Sequence, residues 1–487
     1  MMTHSKHPRA LSVFFFTEMW ERYGFYVIQS LLALYLSMHF GLDDARTYTL
    51  VGSFTALTYI SPIVGGWIAD NLLGQKNSVL FGAIILFIAY LQLAFDKTPQ
   101  NMLVALAIIA VGTGLLKPNI ASLLGRQYAE NDPKRDSGFT IYYLGITSGI
   151  ILGTTLPDKI QQNLGWSICF LSASFGLFLA CLTFLVGKKR YHIPDYAHIK
   201  WNPIVNYIMA VLVILGFLVA SYLVLANAEL ADLFFTLIVV LALGFIFVVA
   251  FREDGVQRRK TLAFLLLCVV SMFFWALYFQ MFMSLTLFIN RVVEPRFYGI
   301  LLTPPNYVTI QSLGMLFFGY FLQKLWARQS LANIAFSTSV KFSAAMILML
   351  LAYLLIVSSL SDYHSALKVS PALIILAYLV ISAAELMLSP IGLSAVTHLV
   401  SPNVVSTMMG IFYVSLGLGG FLAGKMAEIS AITPQMQDLG LIKFQYYQAF
   451  FSLAAVLAVA VIFTLVITVV IKRMVPSVEM DASVLEV

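Results

Sequence analysis

The sequence predicts an all-α protein that crosses a membrane fourteen times, in sets of six, two and six helices, with both termini cytoplasmic. Three observations carry that expectation. First, 60% of the 487 residues are hydrophobic and 11% are charged, with a mean hydropathy of +0.89, whereas a soluble chain carries roughly 25% charged residues. Second, apolar runs of the about 20 residues needed to cross hydrocarbon recur along the whole chain. Third, the alternate connections differ in basic residues. Those on the side of the N-terminus hold, with the two tails, about nineteen Lys and Arg, against about eight on the other side, which makes the richer side cytoplasmic.

The runs lie near 11–38, 48–70, 77–95, 101–122, 137–156 and 165–187, forming a first bundle over 1–187. The opening MMTHSKHPRA is basic enough to begin a signal peptide. The segment behind it carries Glu18, Glu21 and Arg22 where an uncharged stretch should stand, so it is expected to remain as a span. The connector GKKRYHIPDYAHIKWN leads to two further runs near 203–224 and 231–251, and FREDGVQRRK closes this middle region, 188–260. Six more runs, near 261–290, 305–326, 339–360, 370–398, 404–427 and 444–472, form a second bundle over 261–472. The acidic tail 473–487 has no periodicity and is expected to be mobile and cytoplasmic.

Composition also excludes several classes. Cys169, Cys181 and Cys268 all lie in apolar runs without the paired spacing of a disulfide framework or zinc site, and are expected to be small buried hydrophobes. His39, His364 and His398 are scattered, and no HExxH or GxSxG stretch occurs, which argues against a membrane-embedded enzyme. The net charge of +6 is accounted for by cytoplasmic loops, so no nucleic-acid partner is implied. Phe and Tyr at this density are expected to face lipid or pack in spans.

Few charges remain inside the runs. They are Glu18, Glu21 and Arg22 in the first, Lys117 in the fourth and Glu385 in 370–398. Each costs roughly 2.5–3.5 kcal/mol or more at a bilayer centre, so they must face one another or water, and they mark a solute pathway rather than a scaffold. On a helix, Glu18, Glu21, Arg22, Phe25, Tyr26 and Gln29 fall within an arc of roughly 140°. Glu18 and Arg22, spaced i to i+4, can pair, which leaves Glu21 to Lys117. Glu385 has no intramembrane cation in its own half, so it must be protonated, be solvated or await a positive ligand group.

The stretch GGWIADNLLGQK (65–76) is similar to the loop signature of the major facilitator superfamily. Two six-helix bundles with a site between them near midplane is the architecture that follows. More specifically, Glu18-x-x-Glu21-Arg22-Tyr23-x-x-Tyr26 resembles the ExxERFxYY signature of proton-dependent oligopeptide transporters. FTALTYISPIVGGWIADNLLG (54–74), GTGLLKPNIASLLG (112–125), DSGFTIYYLGITSG (136–149), FFWALYFQMFMSL (273–285) and ELMLSPIGLSAV (385–396) follow in the family's order. The resemblance covers nearly all fourteen runs, including the extra helix pair of bacterial members.

What it implies is a symporter importing di- and tripeptides, and peptide-like compounds, with protons by alternating access. It would need no cofactor beyond the coupling proton, act as a monomer among membrane lipid, and sit in the bacterial cytoplasmic (inner) membrane. By residue, Glu18, Glu21 and Arg22 match the family's proton-coupling cluster and Lys117 the lysine that pairs with it. Tyr26 and Tyr59 match pocket tyrosines, and Glu385 the glutamate that receives the peptide amine. The sequence departs from the pattern at Gln29, where many members hold an arginine for the peptide carboxylate, and at Thr147, where an asparagine is usual. It departs again at Gly52, the place of a histidine in animal relatives, and at Tyr278-Phe279-Gln280, where some members carry an acid. Asn306 is aligned with the family's substrate-binding asparagine of the eighth span. A major facilitator porter for another organic solute or drug is the alternative on the same fold.

Overall fold

In a computed structural model the chain is built almost wholly of helices, and residues 7–129, 132, 134–195, 202–331, 337–433 and 435–475 are described. The expected tail beyond 475 and part of the first connector, 196–201, lie outside them. The helices are α1 Leu11–Leu34, α2 Asp44–Ile68, α3 Gln75–Phe95, α4 Pro99–Gly125, α5 Arg135–Arg190, α6 Pro203–Ala226 and α7 Ala228–Arg252. They continue with α8 Gly255–Tyr278, α9 Ser284–Val292, α10 Pro304–Leu331, α11 Thr338–Ser359, α12 Pro371–Leu399, α13 Val405–Ala427 and α14 Leu439–Met474. Among the described residues, eleven helices are long and apolar enough to cross a membrane. α1 is not among them, because Glu18, Glu21 and Arg22 interrupt its apolar character.

Two elements differ from the expected runs. The runs 137–156 and 165–187 are two helices that meet at Gly165 within α5, the first running on through 157–164, the segment expected to connect them. Gln162 bonds Asp158 at 3.0 Å and Asn163 bonds the Lys159 carbonyl at 2.7 Å, both across one turn. The helix breaks at Gly165, whose φ of 83° only glycine adopts readily. Conversely, the run 261–290 is interrupted. α8 ends at Tyr278, tightens into a 3₁₀ turn over Phe279–Phe282, and restarts as α9 after Met283. A two-stranded ribbon follows, β1 Arg296–Phe297 against β2 Ile300–Leu301, turned by Tyr298 and Gly299, both at positive φ as such tight hairpins require.

The contacts divide the chain into two compact units, one of residues 1–35 and 57–231, the other of 36–56 and 232–487. In the first, α1 packs on α5, α3 on α4 and α5, and α6 on α4. The α1–α5 seam depends on Gly145, Gly149 and Gly153, one per turn of α5. A β-carbon on Gly149 would sit 2.3 Å from the Met19 carbonyl oxygen, and one on Gly153 2.7 Å from that of Tyr23. Small residues at this spacing let two backbones approach, which in lipid is a main source of helix association. Because the obstructing atoms are backbone, Gly149→Ala should destabilise the unit by about 1–3 kcal/mol, read as a lower melting temperature in detergent. An unchanged temperature would mean that the two helices stand further apart.

The second unit packs α11 on α12 and α14, α8 on α13, and α10 on α12. Residues 36–56 join it for identifiable reasons. Asp44 accepts two bonds from the Arg291 guanidinium, at 2.6 and 2.7 Å, and one from the Ile432 amide at 2.9 Å. Further along α2, a β-carbon on Gly52 would lie 2.8 Å from the Gly424 Cα. That contact explains the departure noted at Gly52, since no histidine, and no side chain at all, fits there. The three cysteines are free and buried.

Candidate functional site

In the first unit the α1 stripe is buried. Glu18, Glu21 and Arg22 are 2%, 1% and 5% exposed. Their pairing differs from the sequence expectation. Arg22 pairs with both acids: its Nε donates to Glu21 at close range and stands 3.2 Å from a Glu18 oxygen as an ion pair. A guanidinium presents five N–H donors in a planar fork and can serve two carboxylates at once, so Glu21 does not need Lys117. The Tyr142 hydroxyl of α5 is a further polar group facing Glu18. One oxygen of each acid, Glu18 Oε2 and Glu21 Oε1, is buried with no hydrogen-bond partner among the described residues.

Lys117, on α4, makes no ion pair among the described residues. Its ammonium lies over the ring of Tyr59, 4.6 Å from the centroid, an attraction between cation and ring face that leaves the charge uncancelled. α4 positions it through a close crossing with α2, where a β-carbon on Gly65 would fall 2.0 Å from the Gly114 carbonyl oxygen. Asn119 ties the same crossing by donating to the carbonyls of Leu115 and Gly65. The cluster Glu18–Arg22–Glu21 thus carries one net negative charge when both acids are ionised, and Lys117 balances it through space rather than through contact.

The other candidates of this unit are distributed along the same helices. Tyr26 is half-buried on α1, its ring 5.5 Å from that of Phe25. Gln29, one turn further, is 2% exposed. Thr147 directs its hydroxyl to the Tyr143 carbonyl of its own helix at 3.1 Å, which occupies the donor that replaced the family's amide.

In the second unit Glu385, half-buried on α12, accepts a hydrogen bond from Gln311 Nε2 at 2.7 Å and one from Tyr278. Both partners are neutral. α10 and α12 are locked in register beside it, because Ser382 donates to the Gln311 carbonyl at 2.7 Å and a β-carbon on Gly314 would meet the Ser382 hydroxyl at 2.5 Å. Tyr278 is delivered by the end of α8. The following turn is held by Gln280, whose amide donates to the Ala423 carbonyl at 2.8 Å and accepts from Ser284 at 2.5 Å. Phe279, where some members carry an acid, is 1% exposed and packs on Trp275 at 5.5 Å between ring centroids.

Asn306 is not brought beside Glu385. Its side-chain oxygen accepts from the Thr303 amide and hydroxyl, each at 3.0 Å, and so secures the start of α10. The amide at the acid is Gln311, five residues on. Sequence reading missed Gln311 and Tyr142, although both are polar residues within or beside apolar runs, the signal that singled out the charges. No group of three or more His, Cys, Asp or Glu that could hold a metal ion occurs among the described residues.

Comparison with known proteins gives this arrangement a family. Residues 76–442 match the model of the POT family. The dipeptide and tripeptide permease A of Proteus mirabilis is 31% identical over 444 residues, spanning 89% of this chain and 88% of that protein. The permease of the same name from Klebsiella pneumoniae is 32% identical over 445 residues, or 89% and 86%. A crystal structure of a peptide transporter POT in complex with sulfate superposes with a TM-score of 0.84 at 24% identity, over 97% of both chains. The chain therefore belongs to the POT family, the transporters that its glutamate and arginine signature resembles.

Proposed function

We propose that the chain is a proton-coupled symporter that imports di- and tripeptides by alternating access. The observation that carries the reading is that Lys117 and Glu385 each lack a counter-ion among the described residues. A free cation and a free anion, each half-buried, are the complement of a zwitterionic peptide. Glu385 would accept the peptide's ammonium, with Gln311 and Tyr278 fixing the carboxylate. Lys117 would meet the peptide's carboxylate, with Tyr26, Tyr59, Gln29 and Thr147 as further pocket residues and Asn306 acting indirectly through the start of α10.

Coupling follows from the charge balance. A peptide carboxylate at Lys117 cancels the field that offsets the negative Glu18–Arg22–Glu21 cluster, and a proton on that cluster restores neutrality. One oxygen of each acid, Glu18 Oε2 and Glu21 Oε1, lacks a donor among the described residues, and of the two Glu21 is the suggested acceptor. Proton and peptide then favour each other's binding by the same free energy, whichever arrives first. The finer architecture belongs to the same proposal. It comprises fourteen spans with both termini cytoplasmic, bundles over 1–187 and 261–472 flanking the 188–260 pair, a monomeric working unit, and a bacterial inner membrane.

The test is proton flux in proteoliposomes containing a pH-sensitive dye. Dialanine added outside at equal pH should acidify the lumen. Flux with another organic solute but with neither dialanine nor trialanine would favour the alternative porter.

A further inference from the structure

We propose that the crevice between α7, α8 and α13 binds an anionic phospholipid, with one acyl chain in the crevice and the phosphate on Arg258. The recess is about 150 Å³, and its walls include Ala242 and Ile246 of α7, Leu265 and Val269 of α8, and Ile411 and Leu418 of α13. The Ser415 hydroxyl in its wall is turned to its own helix, donating to the Phe412 carbonyl at 2.6 Å. The surrounding helix pair is apolar on its outer faces, with Phe247, Val248 and Phe251 exposed, so hydrocarbon is the surrounding solvent.

Arg258 gives this recess an oriented cationic end. It lies seven residues before Leu265, two turns along the same face of α8 and about 10 Å towards the helix start. Its Nε donates to the carbonyls of Ala250 and Glu253, at 3.2 and 3.1 Å, where α7 ends. The guanidinium is thus fixed in direction while its two Nη groups make no bond among the described residues, and the side chain is exposed. The spacing suits a lipid, because a headgroup layer adds about 5–8 Å outside the hydrocarbon on each side and an arginine reaches outward from its Cα. Phosphate is the group that a guanidinium binds with two parallel hydrogen bonds.

The neighbouring charges agree. Glu253 is occupied by Thr261 at 2.5 Å and by Ser401. Arg259 and Lys260 follow Arg258 on α8, and Asp254 is the remaining exposed acid of the turn. The segment 252–260 carries Arg252, Arg258, Arg259 and Lys260 against Glu253 and Asp254, an excess that attracts anionic headgroups by about 1 kcal/mol per basic residue near the surface. α7, the second helix of the 203–251 pair, gains a role here as one wall of a lipid site.

Native mass spectrometry of the full chain in mild detergent tests this by titrating phosphatidylglycerol and phosphatidylethanolamine with identical acyl chains. The parent should retain phosphatidylglycerol more tightly. Arg258→Gln should weaken it about fivefold while leaving phosphatidylethanolamine unchanged. Ala242→Phe, which fills the crevice, should weaken both lipids. Arg252→Gln, on a face of α7 turned away from the crevice, should weaken phosphatidylglycerol clearly less than Arg258→Gln does, and an equal or larger loss would reduce the site to general surface attraction. Equal retention of the two lipids by the parent, or unaltered phosphatidylglycerol binding in Arg258→Gln, overturns the site. Melting temperatures without added lipid report the fold, and Arg258 is exposed, so that variant decides the matter even if Ala242→Phe does not fold.

Discussion

Glu21→Gln is expected to abolish acid-driven accumulation of dialanine in proteoliposomes while peptide counterflow, which needs no net proton movement, continues. The substitution keeps the shape of the side chain and can still accept a bond from Arg22, but removes the group proposed to take the proton. Arg22 retains its 3.2 Å partner Glu18, so the cluster is not left with an unpaired buried cation, the costly outcome of breaking a buried pair. The same logic separates two neighbouring substitutions. Arg22→Gln would leave two buried carboxylates facing each other and should depress both accumulation and counterflow. Lys117→Gln should weaken peptide binding as well as coupling. Uphill uptake by Glu21→Gln at the parent rate would remove Glu21 from the proton pathway and leave the cluster as a device for packing α1 on α5.

Glu385→Ala is expected to weaken binding of peptides with a free amine by about 2 kcal/mol or more, close to thirtyfold in Kd, and to affect N-acetylated peptides far less. The carboxylate is held by Gln311 and Tyr278, neither of which can neutralise it, so an ammonium gains an ion pair that no protein group competes for. Gln311→Leu provides the companion measurement. It removes the 2.7 Å bond and leaves the charge, so it should loosen the carboxylate's placement and weaken free-amine peptides by a smaller factor without erasing the preference over acetylated ones. Competition binding with trialanine and N-acetyl-trialanine reads both variants. Equal losses for the two ligands in Glu385→Ala would sink the amine assignment.

The helical framework was legible in the sequence because hydrophobicity acts locally. An apolar run must satisfy its backbone polar groups internally once it enters lipid, and a helix does so without any partner. Hence the expected runs fall almost wholly on helical residues, with the turn at Met283 inside 261–290 the main exception. The boundaries that were misjudged are those that local composition does not mark. The polar stretch 157–164 stays helical, with side-chain bonds across its own turns, and the apolar run around Phe279 breaks where the Gln280 amide reaches the Ala423 carbonyl of another helix.

The buried charges were legible for the same local reason, since an ionisable residue in an apolar run stands out without knowledge of its neighbours. What the sequence by itself determined is therefore the helical membrane protein, its family signature, and the short list Glu18, Glu21, Arg22, Lys117 and Glu385. Only the tertiary structure decided that Arg22 serves both acids, that Lys117 rests on Tyr59, that Gln311 and not Asn306 meets Glu385, and that Gly52 has no room for a side chain. Which partner a side chain finds depends on which helices cross and at what rotation. Those crossings are set by contacts between residues far apart in sequence, such as Gly149 against Met19 and Ser382 against Gln311, where periodicity within a single run carries no information.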